Sequence, residues 1–344
     1  MHALISVLIF YLIGTEVIIS SYSTELHTSE QMVGALSAVI DEPDSCNGDA
    51  VVLVKTAVAN FGRRLVIRDT WAKLAADDHN MSTLFVVGRS RNETVMEMIE
   101  RESRQHGDIL MGSFEDTYWN LTLKTVFTLN WIHQRCMPGV SAACVDDDVV
   151  LNPRNLLSFV QGTKSQRAIY GFKLHHDSPI RIEGHKNYVP FEVYPEKHWP
   201  DYCIGPGVVF SQESAGELFA AAVSPETHPK VWIDDCFIYG IVAKAIAMPV
   251  IDEPLIRTHG FNSSRHCFSE EFRQKVIRGT ITWEQLAILW HNDNAARTEG
   301  CLSFYRKRLT RWICCLSAGG VSVSVILIIM WWRWKKESRV TKSE

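Results

Sequence analysis

Residues 144–152, CVDDDVVLN, set three consecutive carboxylates, Asp146, Asp147 and Asp148, between two short apolar runs. One or two acidic residues commonly close a turn or cap a helix. Three at the end of a buried type of strand ask for a counter-charge. Side chains alternate along an extended segment, so Asp146 and Asp148 point one way and Asp147 the other. Two carboxylates on one side suit a hard dication, Mn²⁺ or Mg²⁺, which takes few protein ligands and completes its shell with phosphate oxygens and water. Such an ion neutralises the charge that builds on a diphosphate leaving group.

The residues leading to this triplet alternate in period. AVVLVKTAV (50–58) reads as a fully buried strand, residues 63–73 as a helix and LFVVG (84–88) as a second strand. Residues 93–106 form an amphipathic helix, DILMGSF (108–114) a third strand and residues 120–135 a long helix before the strand AACVDDD. This alternation predicts an α/β fold, an open and mostly parallel central sheet with helices on both faces. Ligands of such sheets sit outside the carboxyl ends of strands, near a change in strand order, and the acidic triplet falls at one such end.

The chain has 344 residues, 46% of them hydrophobic, enough for a substantial core, and its net charge of −4 offers no field for a polyanion. Nucleic acid is excluded as a partner. WICCLSAGGVSVSVILIIMWW (312–332) carries no charge and is long enough to span a bilayer as a helix. Basic residues flank it on both sides and favour a cytosolic tail, 333–344, by a narrow margin. Residues 1–23 read as a signal peptide or signal anchor, and the polar stretch 24–48 as a luminal stem before a catalytic domain over 49–303. Sequons at Asn80, Asn92, Asn120 and Asn262 favour a luminal location. Seven of nine cysteines lie outside the span, an odd number that leaves at least one free or paired between chains. No CxxC pair occurs, so a zinc site is not expected.

The triplet resembles the KVDDDVFVN signature of the inverting β-1,3-glycosyltransferases of family 31, and further stretches match that family in its order. RRLVIRDTWAK (63–73) is similar to RRxxIRxTW, FVVG (85–88) to FLLG, and FEDTYWNLTLKT (114–125) to DFxDxYxNLTLKT. YVPFEVYPEKHWPDYCIGPGVVFS (188–211) resembles the stretch ending YPPYCSGxGYVLS, and VWIDDCFIYG (231–240) the EDVYVG element. TWEQLAILWHND, through Cys301, is similar to SPEEMxxIWND and the family's last cysteine.

The resemblance implies a GT-A type nucleotide-sugar fold and a UDP-sugar donor. It implies transfer of a hexose, taken as galactose, to the 3-hydroxyl of an acceptor glycan on a glycoprotein or glycolipid, by a Golgi membrane enzyme (or one of the endoplasmic reticulum) with a luminal catalytic domain. N-acetylglucosamine or N-acetylgalactosamine as the donor sugar is the near alternative, and a catalytically silent glycan-binding relative the distant one. By position in these motifs Asp146 and Asp148 are expected to bind the metal, and Asp235 to act as the base that an in-line displacement requires. Arg64, Arg68, Asp116, Lys124 and Asp147 are expected at the donor, with Thr70 and Trp71 packed beneath it. Trp199, Tyr202, Gly205, Gly207 and Asp234 are expected at the acceptor. Cys144, Val208 and Trp199 depart from the family's residues, Asp234 replaces a glutamate, and Gly279 stands where relatives carry a histidine, with His259 or water as its substitute.

Overall fold

Ala50–Lys55 (β2) is buried at every position, as a run of aliphatic residues must be when both faces of its strand are covered. In the computed structural model, which describes residues 29–257 except 35, 43, 47, 80, 164, 165, 228 and 229, together with Ile277–Arg278, this strand sits inside an eight-stranded sheet. Ser82–Arg89 (β3), Ile109–Glu115 (β4) and Ser141–Asp146 (β5) lie with it in the order β4-β3-β2-β5, all parallel. Tyr202–Ser211 (β8) continues the sheet antiparallel to β5, followed by Ile169–Leu174 (β7) and Val250–Asp252 (β9). The sheet is therefore mixed, with its parallel block where the sequence pattern placed it. A small second sheet joins Val150–Leu151 (β6), Ile256–Arg257 (β10) and Ile277–Arg278 (β11).

Alternation along β2 divides the core. Val51 and Leu53 pack with Val126, Phe127 and Leu129 of the helix Leu121–Arg135, while Val52 and Val54 face the other side of the sheet and are equally buried. On that other side lies a helical run that starts at Phe61–Ile67, passes through a wide π turn at Arg68–Ala72 and ends in Lys73–His79. The turn is bent at Thr70 (φ −120°, ψ −115°), whose hydroxyl donates to the carbonyls of Val66 and Ile67, a side-chain bond that competes with the helix ladder. Thr70 and Trp71 are buried there.

The expected stem needs correction. From Ser29 onward it belongs to the folded unit: Ser29–Gly34 is a helix whose Met32 is fully buried, and Ala38–Ile40 (β1) is the antiparallel edge strand beside β4. The signal was the apolar stretch MVGALSAVI (32–40), which the polar runs on either side of it hid. A disulfide between Cys46 and Cys136 fastens the segment to the end of the long helix, while Cys144, Cys203 and Cys236 are free and buried. The segments 1–23, 312–332 and 333–344 lie outside the described residues, as do Asn80, Asn262, Cys267 and Cys301. Among the described residues no helix is long and apolar enough to cross a membrane.

The disulfide closes a loop with a sequence separation of 90. Replacing both partners in a Cys46→Ser/Cys136→Ser variant is expected to cost about 3 kcal/mol of unfolding free energy, mainly by freeing the unfolded chain. Denaturant melts of the two proteins measure this, and a loss under about 1 kcal/mol would show that the bond does not fasten the N-terminal segment.

Candidate functional site

The chain leaves β2 toward β3 and β4, then returns to the opposite side of β2 as β5. Strand order therefore reverses between β2 and β5, and a crevice opens at their carboxyl ends. The parallel register pairs Lys55, the last residue of β2, with Asp146, the last of β5. A cleft of about 510 Å³ lies there, walled by Lys55, Thr56 and Asn60 from the first strand end and by Asp146, Asp147 and Asp148 from the second. Asp116 and Tyr118 after β4, Gly205 in β8, and Asp234 with Asp235 at a helix start complete its floor and sides.

Lys55 organises the charges. Its Nζ donates to Asp234 Oδ2 at 2.7 Å and stands 3.6 Å from Asp146 Oδ1, while Thr125 Oγ1 donates to the same Asp234 oxygen at 2.6 Å. Burial works against a charge on Asp234, but Lys55 outweighs it and holds the carboxyl below its usual range. Asp235 is different. Burial first, and then the charge on Asp234, raise its pKa to about 6. Two backbone amides orient it, Gly205 N at 3.1 Å and Cys236 N at 2.9 Å.

Asp146 lies deep in the protein yet keeps 36% of its side chain open to the cleft, and burial raises its pKa despite Lys55. Asp148 is raised to about 6 by burial and by Asp146 and Asp147 beside it. Its Oδ1 is buried with no hydrogen-bond partner, an orphaned acceptor of the kind a bound cation satisfies. The donor set of Asp146 and Asp148 therefore fits an oxygen-liganded dication. Among the described residues no group of three histidine, cysteine or acidic side chains is arranged to hold a metal, so substrate oxygens and water would complete the shell. His259 and Gly279 lie outside the described residues.

Asp147 lies with Asp148 in the turn that follows β5, not in an alternating strand as the sequence pattern predicts, and it serves the scaffold from the cleft wall. It accepts from Thr56 Oγ1 (2.6 Å), Asn60 Nδ2 (2.8 Å) and Arg63 Nη1 (2.7 Å), tying the β5 end to the loop after β2. Asp116 likewise accepts from the Val58 and Gly88 amides and from Lys124, which also donates to the Thr56 carbonyl. The Phe114 ring lies against Gly88, where a Cβ would come within 2.7 Å of it. The glycine closing FVVG thus has a packing reason. Asp116 and Lys124 line the cleft, but as partners of each other.

Six other expected site residues are engaged within the fold. Arg64 is fully buried, doubly bonded to Glu102 and donating to the carbonyls of Ala57 and Val58; Arg68 binds Glu102 and Asp108. Neither lines the cleft, because the side of the helix they share points at Glu102 in the helix Glu93–His106. Trp199 is buried and stacked on Tyr194, and Tyr202 is buried with its hydroxyl donating to Asp177. Gly207 is buried in β8 opposite Val145, and Asp234 is occupied by Lys55 and Thr125. Asn120 is also engaged, its Nδ2 donating to the Glu115 carbonyl. Lys55, Thr56, Asn60, Tyr118, Lys186 and Asn187 line the cleft without having been singled out, although a lysine closing an otherwise apolar strand was a visible signal.

Against known proteins, a family profile described as Galactosyltransferase matches residues 62–254. The chain is 29% identical over 284 residues to the lactosylceramide 1,3-N-acetyl-β-D-glucosaminyltransferase A of Danio rerio, covering 78% of this chain and 73% of that protein. It is 26% identical over 274 residues to the β-1,3-galactosyltransferase 1 of Homo sapiens, covering 76% and 80%. It is 31% identical over 270 residues to the UDP-GlcNAc:βGal β-1,3-N-acetylglucosaminyltransferase 7 of Rattus norvegicus, covering 73% and 66%.

The reassignment of Arg64 is testable through its partner, which the two arginines hold below the usual carboxylate range against the effect of burial. Glu102→Ala strands Arg64 in the interior and is expected to cost about 3–5 kcal/mol at neutral pH. In the native protein that contribution is present above the ordinary glutamate pKa and disappears as acid protonates Glu102 in the folded state. A denaturation midpoint unchanged by the substitution would return Arg64 to the list of ligand-binding residues.

Proposed function

This chain belongs to the galactosyltransferase family, and from that premise we propose that it is an inverting β-1,3-glycosyltransferase using a UDP-sugar donor. In this reading a hexose, with galactose put first, passes to the 3-hydroxyl of an acceptor glycan on a glycoprotein or glycolipid. The relatives' names include both galactosyl and N-acetylglucosaminyl transfer, so N-acetylglucosamine is the second donor reading. One observation carries the reading. A half-buried aspartate with a pKa raised to about 6, Asp235, shares a crevice at the sheet's switch point with the unpartnered oxygen of Asp148.

The residues divide the work as follows. Asp235, held by the Gly205 and Cys236 amides, accepts the proton of the acceptor hydroxyl as that oxygen bonds to the anomeric carbon and the bond from that carbon to the diphosphate breaks. Its raised pKa makes it a better base than an ordinary aspartate and leaves it ionised at neutral pH. Asp234 keeps its charge through Lys55 and so raises the basicity of its neighbour without taking the proton itself. Asp146 and Asp148 would hold Mn²⁺ or Mg²⁺, which when bound neutralises charge on the departing diphosphate. Asp147 and Asp116 fix the loops that border the cleft. The same reading includes a GT-A type fold and a luminal catalytic domain in the Golgi or endoplasmic reticulum, anchored by the apolar segment 312–332.

Asp235→Asn is expected to lower kcat about 10³-fold while UDP affinity stays within about twofold. Calorimetry with UDP and a transfer assay separate the two, and loss of UDP binding would remove Asp235 from the role of base. With the native enzyme, kcat/KM is expected to fall as pH drops through about 6, because the base is then protonated. Asp148→Ala is expected to weaken UDP binding in manganese at least about tenfold and to leave metal-free binding unchanged; equal affinities with and without the ion in both proteins would rule out this pair as the metal site. A panel of UDP-sugars distinguishes the galactose and N-acetylglucosamine readings.

A further inference from the structure

Six aspartates line the cleft, against three lysines. Two of the lysines are consumed: Lys55 by Asp234 and Asp146, and Lys124 by Asp116. Arg63, nearby, is consumed by Asp147. Lys186 is the exception, since among the described residues no carboxylate lies within ion-pair distance of its ammonium. It is exposed and not flung into solvent, because its Nζ stands 5.2 Å from the centroid of the Tyr118 ring, within the range of a cation–π contact.

The loop that carries Lys186, residues 175–201 between β7 and β8, is built to hold its tip in place. Arg181 pins it from inside, donating to the Val189 and Tyr194 carbonyls at 2.6 Å each and to the Glu196 carbonyl at 3.0 Å. Ile180 bridges to Tyr188, and the hydroxyl of Tyr118 donates to Asn187 Oδ1. The tip residues Lys186 and Asn187 are thereby fixed against Tyr118, a residue of the cleft wall itself. An unpaired ammonium held this way beside an acidic cleft has no internal charge to meet, and an incoming nucleoside diphosphate brings at least two negative charges.

We propose that Lys186 binds the diphosphate of the nucleotide donor from the loop side of the cleft and so stabilises the leaving group. The inference rests on the UDP-sugar reading above. It adds a contact independent of the metal carboxylates: an ammonium with three donors held at the cleft wall.

The test compares UDP with uridine on the full-length protein in manganese, using calorimetry for UDP and ligand-observed NMR for uridine. Lys186→Met is expected to weaken UDP about tenfold and leave uridine within about twofold, and Lys186→Arg to restore most of the UDP affinity. The Met variant is also expected to show a flatter dependence of UDP affinity on ionic strength. Equal weakening of UDP and uridine, or no weakening of UDP, overturns the assignment of Lys186 while leaving the transferase reading intact. Failure of the unmodified protein to bind UDP at all overturns that reading and this inference with it.

Discussion

A buried lysine between two strand ends sets the terms for the rest of the cleft. Lys55 closes a strand with no other charge, and the register places it beside Asp146 and against Asp234. An ammonium taken out of water survives only with close anionic partners, and here they hold it charged, its pKa well above the ordinary lysine value, although burial alone would lower it. Because Asp234 is committed to Lys55, the adjacent Asp235 is left with backbone amides alone and with a like charge next to it. The difference in basicity between two consecutive aspartates follows from which of them meets the lysine.

The acidic residues of the cleft fall into two groups by what they touch. Asp116 and Asp147 each accept three hydrogen bonds from the protein and Asp234 accepts two, and these bonds join β2, β4, β5 and the helix starting at Asp234. Asp146, Asp148 and Asp235 face the open volume with acceptor capacity to spare. A rigid frame of the first kind is what allows like charges of the second kind to be held near one another, since free side chains would turn apart.

Much of this was legible in the sequence. The aliphatic run of β2 and the strand and helix alternation pointed to the parallel block, and the acidic triplet marked its carboxyl end; the period of two did not carry over, because the strand stops at Asp146 and the chain turns at Asp147 and Asp148. What failed was direction and partnership. Spacing of one helical turn shows that Arg64 and Arg68 share a face, but Glu102 and Asp108, which decide where that face points, lie in another helix and a strand end. Trp199 and Tyr202 stand in a motif stretch, and nothing local shows that Tyr194 and Asp177 bury them. Lys186 and Asn187 belong to a loop without periodicity, so only the folded chain brings them to Tyr118.

The parallel block and its carboxylates come entirely from residues 50–148, whereas Gly205, Asp234 and Asp235 arrive from much later in the chain. A nascent polypeptide that had completed only the earlier half would carry Lys55 in an apolar strand without its closest anion. The early sheet is thus penalised until the later segment docks, and docking brings Asp235 along with Asp234. Cooperativity in folding and assembly of the reactive centre are therefore one event, so that half-finished chains are disfavoured as stable species and excluded as premature catalysts.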